Sequence, residues 1–560
     1  MSPTTTSAPS TAPPPHPVLA NAALNRGRRF ADADRAALGV DALVPSGPAR
    51  SLREEVARLL AKLASLPTPI LRYECLLRLA SSDEELFFAA AQTNFAHVLP
   101  LIYTPTVGEA CVTYPSLDIP PRGLWLSHAN HAGRIEQTLR AAWPRKASVI
   151  VVSDCQRILG LGDLGANGMP IPVGKLLLYT ACGGVPPADC LPVVLDVGCD
   201  VDAVRDAPDY IGTRAPRITG EAYDAFVDEF ITAVARVYGQ SCLVQFEDFG
   251  NANAMRLLRK YRDDVCCFND DVQGTAAVGL AGVLAALRMH DVPTSIADHS
   301  FLFLGAGSAG LGIAELLVLA LRRAGLSEAD ARKRCWFVDS RGLVYAGRER
   351  VSGDKLPFAH DAFPAAVSAA TGGLAGLVDV LKPTALIGVS TQPGSFAPEV
   401  IAKMAEHNKR PLVFALSNPT SKSECTAEEA YKHSDGRAVF ASGSPFARVE
   451  LNGRTFVPGQ GNNSYVFPGL GLGVLVSGAR VVPDSMLLAA ADRLASLVDQ
   501  GQLDAGCVYP DPKTLMDISA NIAHAVCDEA VKLGVNTKDV ADVTVQQIRE
   551  RMYEPGRGRM

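Results

Sequence analysis

The chain has 560 residues, 48% of them hydrophobic and 20% charged, with a formal net charge of −6. That length exceeds what one core supports, so roughly two to four domains are expected. The acidic balance argues against nucleic acid as a partner. The longest apolar run, Phe467–Ala479, is too short to span a membrane and is broken by glycines, Pro468 and Ser477. The thirteen cysteines form no CxxC pair and read as reduced core thiols of an intracellular protein.

Residues 1–20 are rich in Ser, Thr and Pro, with no charge before Arg26, and read as a disordered tail. They lack both the pattern of a transit peptide and the core of a signal peptide, so a cytoplasmic location is expected, with a mitochondrial one left open. Residues 21–122 form an expected N-terminal helical domain. Within it Leu52–Gln92 carries helical periodicity punctuated by Pro67 and Pro69. Tyr103 follows, before a Thr-Pro turn; a lone Tyr there is usually a packing residue.

Ser148–Ser153 is an expected strand. The glycines after it, Gly160, Gly162 and Gly165, satisfy GxGxxG. Six residues separate them from the strand, and Pro170 and Pro172 follow, so the match is read as a decoy in a long irregular loop. Lys175 then opens an apolar helix at Leu176–Ala181, a position that opposes the helix dipole and so hints at function. Arg157, between strand and loop, suits a carboxylate clamp because guanidinium binds carboxylates bidentately.

The segment Gln245–Ala276 reads as strand, helix, strand: Ser241–Phe246, Ala252–Tyr261 and Val265–Phe268. Each strand ends in paired acids, Glu247 with Asp248 and Asp270 with Asp271. Ligands in parallel α/β sheets sit outside the carboxyl ends of strands, so four acids are expected in one crevice. A single pair would read as solvated loop caps. Two matched pairs call for a hard divalent cation.

The segment SFLFLGAGSAGLGIAELLVLALRRAG reads as strand, glycine turn and long helix. Gly305, Gly307 and Gly310 give a second GxGxxG, with Gly312 extra, and here the context is that of a dinucleotide site. The next strand, Cys335–Val338, ends in Asp339, the acid that in simple Rossmann proteins bonds a ribose hydroxyl and favours NAD. Strands follow at 385–390 and 412–417, with Asn418 at a carboxyl end. A Gly-rich loop at 459–469 carries Asn462 and Asn463. Val543–Met552 is an expected helix. The fold class is α/β: a doubly wound Rossmann-type nucleotide domain over 270–462, a second α/β substrate and metal domain over 123–269 and 463–530, the N-terminal helical domain, and a helical tail over 531–560.

In this order YTPTVG, RILGLGDLG with PIPVGKL, FEDF, FNDDVQGTA, GAGSAGLGIAE, LSNPT and GQGNNSYVFPG together resemble the malic enzyme family over roughly residues 18 to 530. The resemblance implies oxidative decarboxylation of L-malate to pyruvate and CO2. It implies Mn²⁺ or Mg²⁺ on Glu247, Asp248 and Asp271, Lys175 as general base oriented by Asp270, and Tyr103 as the acid that protonates the enol. Arg157, Asn418 and Asn463 would hold the carboxylates and the nicotinamide end. Lys175 would need a lowered pKa. Gly305, Gly307, Ser308, Ala309, Gly310 and Asn418 would line the nucleotide site. NADP is expected over NAD, because Asp339 occurs in members of both preferences, while Ser340, Arg341 and Lys355 offer donors and charge for a 2′-phosphate. A homotetramer built from dimers is expected. Fumarate-activated members carry an arginine where Ser82 stands, although Arg58 matches. Two other readings stay open: malolactic chemistry with tightly held NAD, and a nucleotide-sensing protein without turnover.

Overall fold

The computed structural model describes residues 16–158, 160–351, 353–361 and 373–557. Of the expected tail, residues 1–15 lie outside the described residues. Residues Pro17–Ala20, expected within that tail, form a short helix capped by His16. The chain divides into two compact units, one of Met1–Leu101, Asp118–Pro121 and Glu554–Met560, the other of Ile102–Leu117 and Arg122–Tyr553.

The first unit is helical. The apolar run expected over 52–92 is cut into three helices, Leu52–Ser65, Pro69–Ser82 and Glu84–Thr93. Local chemistry sets the cuts. Ser51 and Glu54 make a reciprocal capping box, Thr68 caps a helix that begins with Pro69, and Asp83 accepts from the Leu86 N–H. Each cap satisfies an N–H that the first helical turn leaves without a partner.

The second unit holds two sheets. The first has strands β1 (Leu124–Ser127), β2 (Val149–Ser153), β3 (Cys190–Asp196), β4 (Leu243–Phe246) and β5 (Cys267–Asn269), in the order β1-β3-β2-β4-β5, and every pairing is parallel. β2 and β3 are buried along their whole length, as continuous apolar strands covered on both faces must be. The order reverses between β2 and β4, so a ligand crevice is expected beyond their carboxyl ends.

The second sheet contains β6 (Phe301–Leu304), β7 (Cys335–Asp339), β8 (Gly342–Leu343), β9 (Ala385–Gly388), β10 (Leu412–Ala415) and β11 (Val439–Ser442). A hairpin of β12 (Val449–Leu451) and β13 (Arg454–Phe456) stands apart, and β14 (Gly459–Gln460) closes the edge. The order is β14-β11-β10-β9-β6-β7-β8, parallel except for β7 with β8. Its order reverses at β6 and β9, where the second glycine turn leaves β6. This is the doubly wound arrangement that the alternating strands and helices imply.

Five helices of this unit bear on the site: α1 (Pro170–Ala181), α2 (Asn251–Tyr261), α3 (Thr275–Ala286), α4 (Ser308–Arg323) and α5 (Phe467–Ser477). The range of α1 corrects one expectation. Pro170 and Pro172 do not break the chain before a helix at 176. They occupy its first turn, where no N–H is needed and proline's fixed φ fits. Lys175 is therefore inside α1, and the helix-dipole argument for it falls away. The C-terminal helix runs Val545–Arg551, and Thr544 caps it with Gln547. Among the described residues no single helix is long and apolar enough to cross a membrane.

Candidate active site

One cleft gathers Tyr103, Arg157, Lys175, Glu247, Asp248, Asp271, Ala309, Asn418 and Asn463, with Thr275 and Thr391 among the further lining residues. Its floor is the carboxyl edge of the first sheet. β4 delivers Glu247 and then Asp248, whose φ of +55° puts an aspartate in the left-handed region. That conformation is costly for most side chains and tolerated by Asp. β5 runs into a π-helical turn, Asp270–Gly274. Asn269 pins the turn by accepting from the Val272 N–H, and Gln273 accepts from the Asn269 N–H.

The four acids separate into two roles. Carboxylate oxygens of Glu247, Asp248 and Asp271 lie within 4.8 Å of one another. Asp270 does not join them, against the expectation of four acids in one crevice. It is fully buried behind the cleft and meets the Lys175 ammonium at 2.5 Å. Lys175 also pairs with Glu247 at 3.0 Å, and its ammonium stands 5.2 Å from the centre of the Tyr103 ring and 4.6 Å from that of Phe467. The three convergent carboxylates are hard oxygen donors of the kind that Mg²⁺ and Mn²⁺ take. Burial and repulsion from neighbouring acids push the Glu247 and Asp271 carboxyls up, and a divalent cation is what would relieve them. The residues fit such an ion.

Burial alone would lower the Lys175 pKa, but Asp270 and Glu247 outweigh it and hold the ammonium well above its ordinary range. This corrects the expectation of a lowered value for the structure as it stands. The Tyr103 phenol is pushed up, chiefly by burial, and so stays protonated.

The polar residues around this core are already engaged. The Arg157 guanidinium donates to Asn251 Oδ1 at 2.8 Å and to Ser308 Oγ at 3.2 Å. Asn463 Nδ2 donates to Asp270 Oδ2 at 3.0 Å and Thr275 Oγ1 at 3.1 Å. Asn418 Oδ1 accepts from Ser444 Oγ at 2.7 Å. The loop bearing Arg157 is anchored by a buried ion pair, Arg217 to both oxygens of Asp163 at 2.7 and 2.6 Å.

The second glycine turn is built differently at each position. A side chain at Gly305, where φ is +114°, would strike the Val389 carbonyl, and one at Gly310 would strike the Gly305 carbonyl. At Gly307 nothing lies within 4 Å, which leaves room for a phosphate against the backbone. The decoy glycines behave otherwise: Gly165 belongs to a short 3-10 turn packed on Tyr210.

At the end of the neighbouring strand β7, beside this turn, Asp339 is gripped by two cations. Arg348 donates to its two oxygens at 2.8 and 2.7 Å, and Lys355 to one at 2.7 Å. Burial would raise the Asp339 pKa, but these bonds hold it well below the usual carboxylate range. Arg341, expected beside Lys355, contributes only its backbone N–H to Asp339 and otherwise stands exposed next to exposed Ser340. The second cation on Asp339 is Arg348, which sequence reasoning missed. Asn251 and Thr275 were missed as well. Both sit in ordinary helical sequence and carry no spacing that marks them.

Residues 80–262 match the family domain described as "Malic enzyme, N-terminal domain", and residues 272–531 match "Malic enzyme, NAD binding domain". The chain is 47% identical over 518 residues to an NADP-dependent malic enzyme of Anas platyrhynchos, covering 92% of this chain and 91% of that one. It is 45% identical over 518 residues to a mitochondrial NADP-dependent malic enzyme of Homo sapiens, covering 92% and 84%. Among solved structures, a malic enzyme from Pyrococcus horikoshii superposes with a TM-score of 0.53 at 26% identity, covering 82% of this chain and 89% of that one.

Proposed function

Because the chain belongs to the malic enzyme family, it converts L-malate to pyruvate and CO2 with reduction of NADP, and we propose how its own residues divide that reaction. The observation that carries the assignment is Lys175. It is almost wholly buried, it touches Asp270 and Glu247, and it shares a cleft with Tyr103 and the convergent carboxylates.

Glu247, Asp248 and Asp271 would hold Mn²⁺ or Mg²⁺, which when bound supplies Lewis-acid stabilisation of negative oxygen. The Gly305–Gly310 turn, with Ser308 and Ala309, would hold NADP, whose nicotinamide supplies the hydride acceptor. Lys175 takes the proton of the malate C2 hydroxyl as the C2 hydride leaves. Glu247 would be committed as a ligand, which withdraws one of the two acids that keep the ammonium charged and moves Lys175 toward the neutral form that burial favours. Asp270 orients the amine and is itself held by Asn463. When the C3–C4 bond breaks and CO2 departs, its electron pair is left on the enolate of pyruvate. Tyr103, kept protonated by burial, delivers a proton to C3. Arg157 and Asn418 position carboxylate and nicotinamide.

NADP suits the Asp339 corner. The acid that would repel a 2′-phosphate is neutralised there by Arg348 and Lys355, with one cation to spare. The cytoplasmic assignment rests on thirteen unbridged cysteines, which suit a reducing compartment. Relatives named mitochondrial are about as similar, so cell fractionation decides. A homotetramer is the assembly expected of the family, and sedimentation measures it.

The test is a spectrophotometric assay with L-malate, Mn²⁺ and either cofactor. NADPH and pyruvate should appear in equal amounts. Lactate without free reduced cofactor would overturn the reading in favour of malolactic chemistry.

A further inference from the structure

Gln245 is a polar residue at the centre of a strand that is otherwise apolar. β4 reads Leu-Val-Gln-Phe, it lies between β2 and β5, and Gln245 has no exposed surface. A buried amide without partners would cost several kcal/mol by transfer to an apolar medium, roughly 2–7. This one is paired at both ends. Its Nε2 donates to Glu247 Oε2 at 2.7 Å, and its Oε1 accepts from the Tyr179 hydroxyl at 2.5 Å.

The direction of these bonds is forced. A carboxylate only accepts, so the amide must turn its NH2 group to Glu247 and its oxygen to Tyr179, which donates. Tyr179 lies four residues after Lys175, one turn along the same face of α1. Its ring is fully buried, and a side chain at Gly471 of α5 would sit 2.3 Å from it, so the ring has little freedom to move. α1 thus reaches Glu247 by two routes. Lys175 takes Oε1 directly, and Tyr179 takes Oε2 through Gln245.

We propose that Gln245, itself fixed by Tyr179, is a positioning residue that sets the plane of the Glu247 carboxylate for binding the divalent ion. Without it, Glu247 is free to rotate both oxygens onto Lys175 and away from Asp248 and Asp271. This inference rests on the assignment of Glu247 as a ligand made above.

The test uses the full-length enzyme and Mn²⁺ alone, titrated without substrate and followed by the electron paramagnetic resonance of the free ion. Gln245→Met keeps the volume and removes both bonds. Partners one layer behind metal ligands are typically worth about 10–100-fold in metal affinity. Gln245→Met should weaken Mn²⁺ binding within that range and leave NADP affinity, read by nucleotide fluorescence, unchanged. Tyr179→Phe removes one hydroxyl and should weaken Mn²⁺ in the same direction by less. In the double variant Tyr179→Phe should add nothing, because it acts only through the glutamine. Wild-type Mn²⁺ affinity in Gln245→Met, or full additivity of the two changes, overturns the proposal. If Gln245→Met does not fold, Tyr179→Phe decides alone, and unchanged Mn²⁺ affinity there overturns it. A wild-type enzyme that binds no Mn²⁺ would instead refute the metal assignment beneath it.

Discussion

Two charge clusters in the nucleotide- and metal-bearing unit are near inversions of each other. In one, the single cation Lys175 faces Glu247 and Asp270, with Asp248 and Asp271 alongside, a formal excess of three negative charges. In the other, the single carboxylate of Asp339 faces Arg348 and Lys355, an excess of one positive charge. On the assignment proposed above, each cluster is short of the charge that its ligand would bring: a divalent cation for the first, a 2′-phosphate for the second. They differ in burial. Lys175 and Asp270 are sealed from water, whereas Lys355 keeps about a fifth of its side chain exposed. Charges interact more strongly where water is excluded, so damage to the first cluster should cost far more than damage to the second.

The largest effect should come from Asp271→Ala. The fold should persist, because among the described residues Asp271 makes one hydrogen bond, accepting from the Asp248 N–H. Turnover should fall toward background, beyond the roughly 10–100-fold typical of residues one layer further out. Assays at saturating Mn²⁺ with circular dichroism check both halves. Near-normal turnover of the wild type in the presence of a chelator would end the metal assignment.

Next come Lys175→Ala and Tyr103→Phe, each expected to lose on the order of 10²–10⁴-fold, the usual worth of a general acid or base. They should fail at different steps. Lys175→Ala should lose malate oxidation, whereas Tyr103→Phe should still oxidise malate and be slow to ketonise the enol. Feeding oxaloacetate and following its decarboxylation and the protonation of the product separates the two. Equal defects at every step would merge the two roles.

The smallest effect belongs to the exposed cluster. Lys355→Gln should lose on the order of 10-fold or more in kcat/KM preference for NADP over NAD, the value of one charge-assisted bond of ~1.5–3 kcal/mol. Arg348→Gln should lose preference too, and should also loosen the loop, since Arg348 binds the Gly342 and Leu343 carbonyls. A wild type that prefers NAD would show that Asp339 governs the choice despite its two partners.

Much of this was legible in the sequence, and what was missed was missed for physical reasons. Strand ends carrying paired acids announced the crevice, because parallel sheets put their ligands there. The two GxGxxG matches were told apart by what precedes them: one leaves β6 directly, the other follows a six-residue gap. Lys175 was misplaced because Pro170 and Pro172 read as breakers, although a first helical turn accommodates both. Strand-end position alone put Asp270 in the crevice with the other three acids, because no spacing reveals the π-helical turn that aims adjacent residues different ways; its place beside Lys175 came only with the family resemblance. Arg348 was invisible because its partner lies nine residues back across a loop. Gln245 carries a real signal, a lone amide in a buried strand, but a weaker one than the paired acids that follow it.

The extra glycine of the nucleotide fingerprint shows how far such constraints reach. Gly312 belongs to α4, yet a methyl group there would stand 2.6 Å from the carbonyl oxygen of Val272, inside the turn that carries Asp270 and Asp271. Even alanine would have to push that turn aside. The residue permitted at 312 is therefore dictated by the backbone of Val272, forty positions earlier, rather than by the nucleotide its helix serves. A variant library across α4 scored for Mn²⁺ retention should show the same intolerance at 312 as at the ligands themselves, in a helix that supplies none of them.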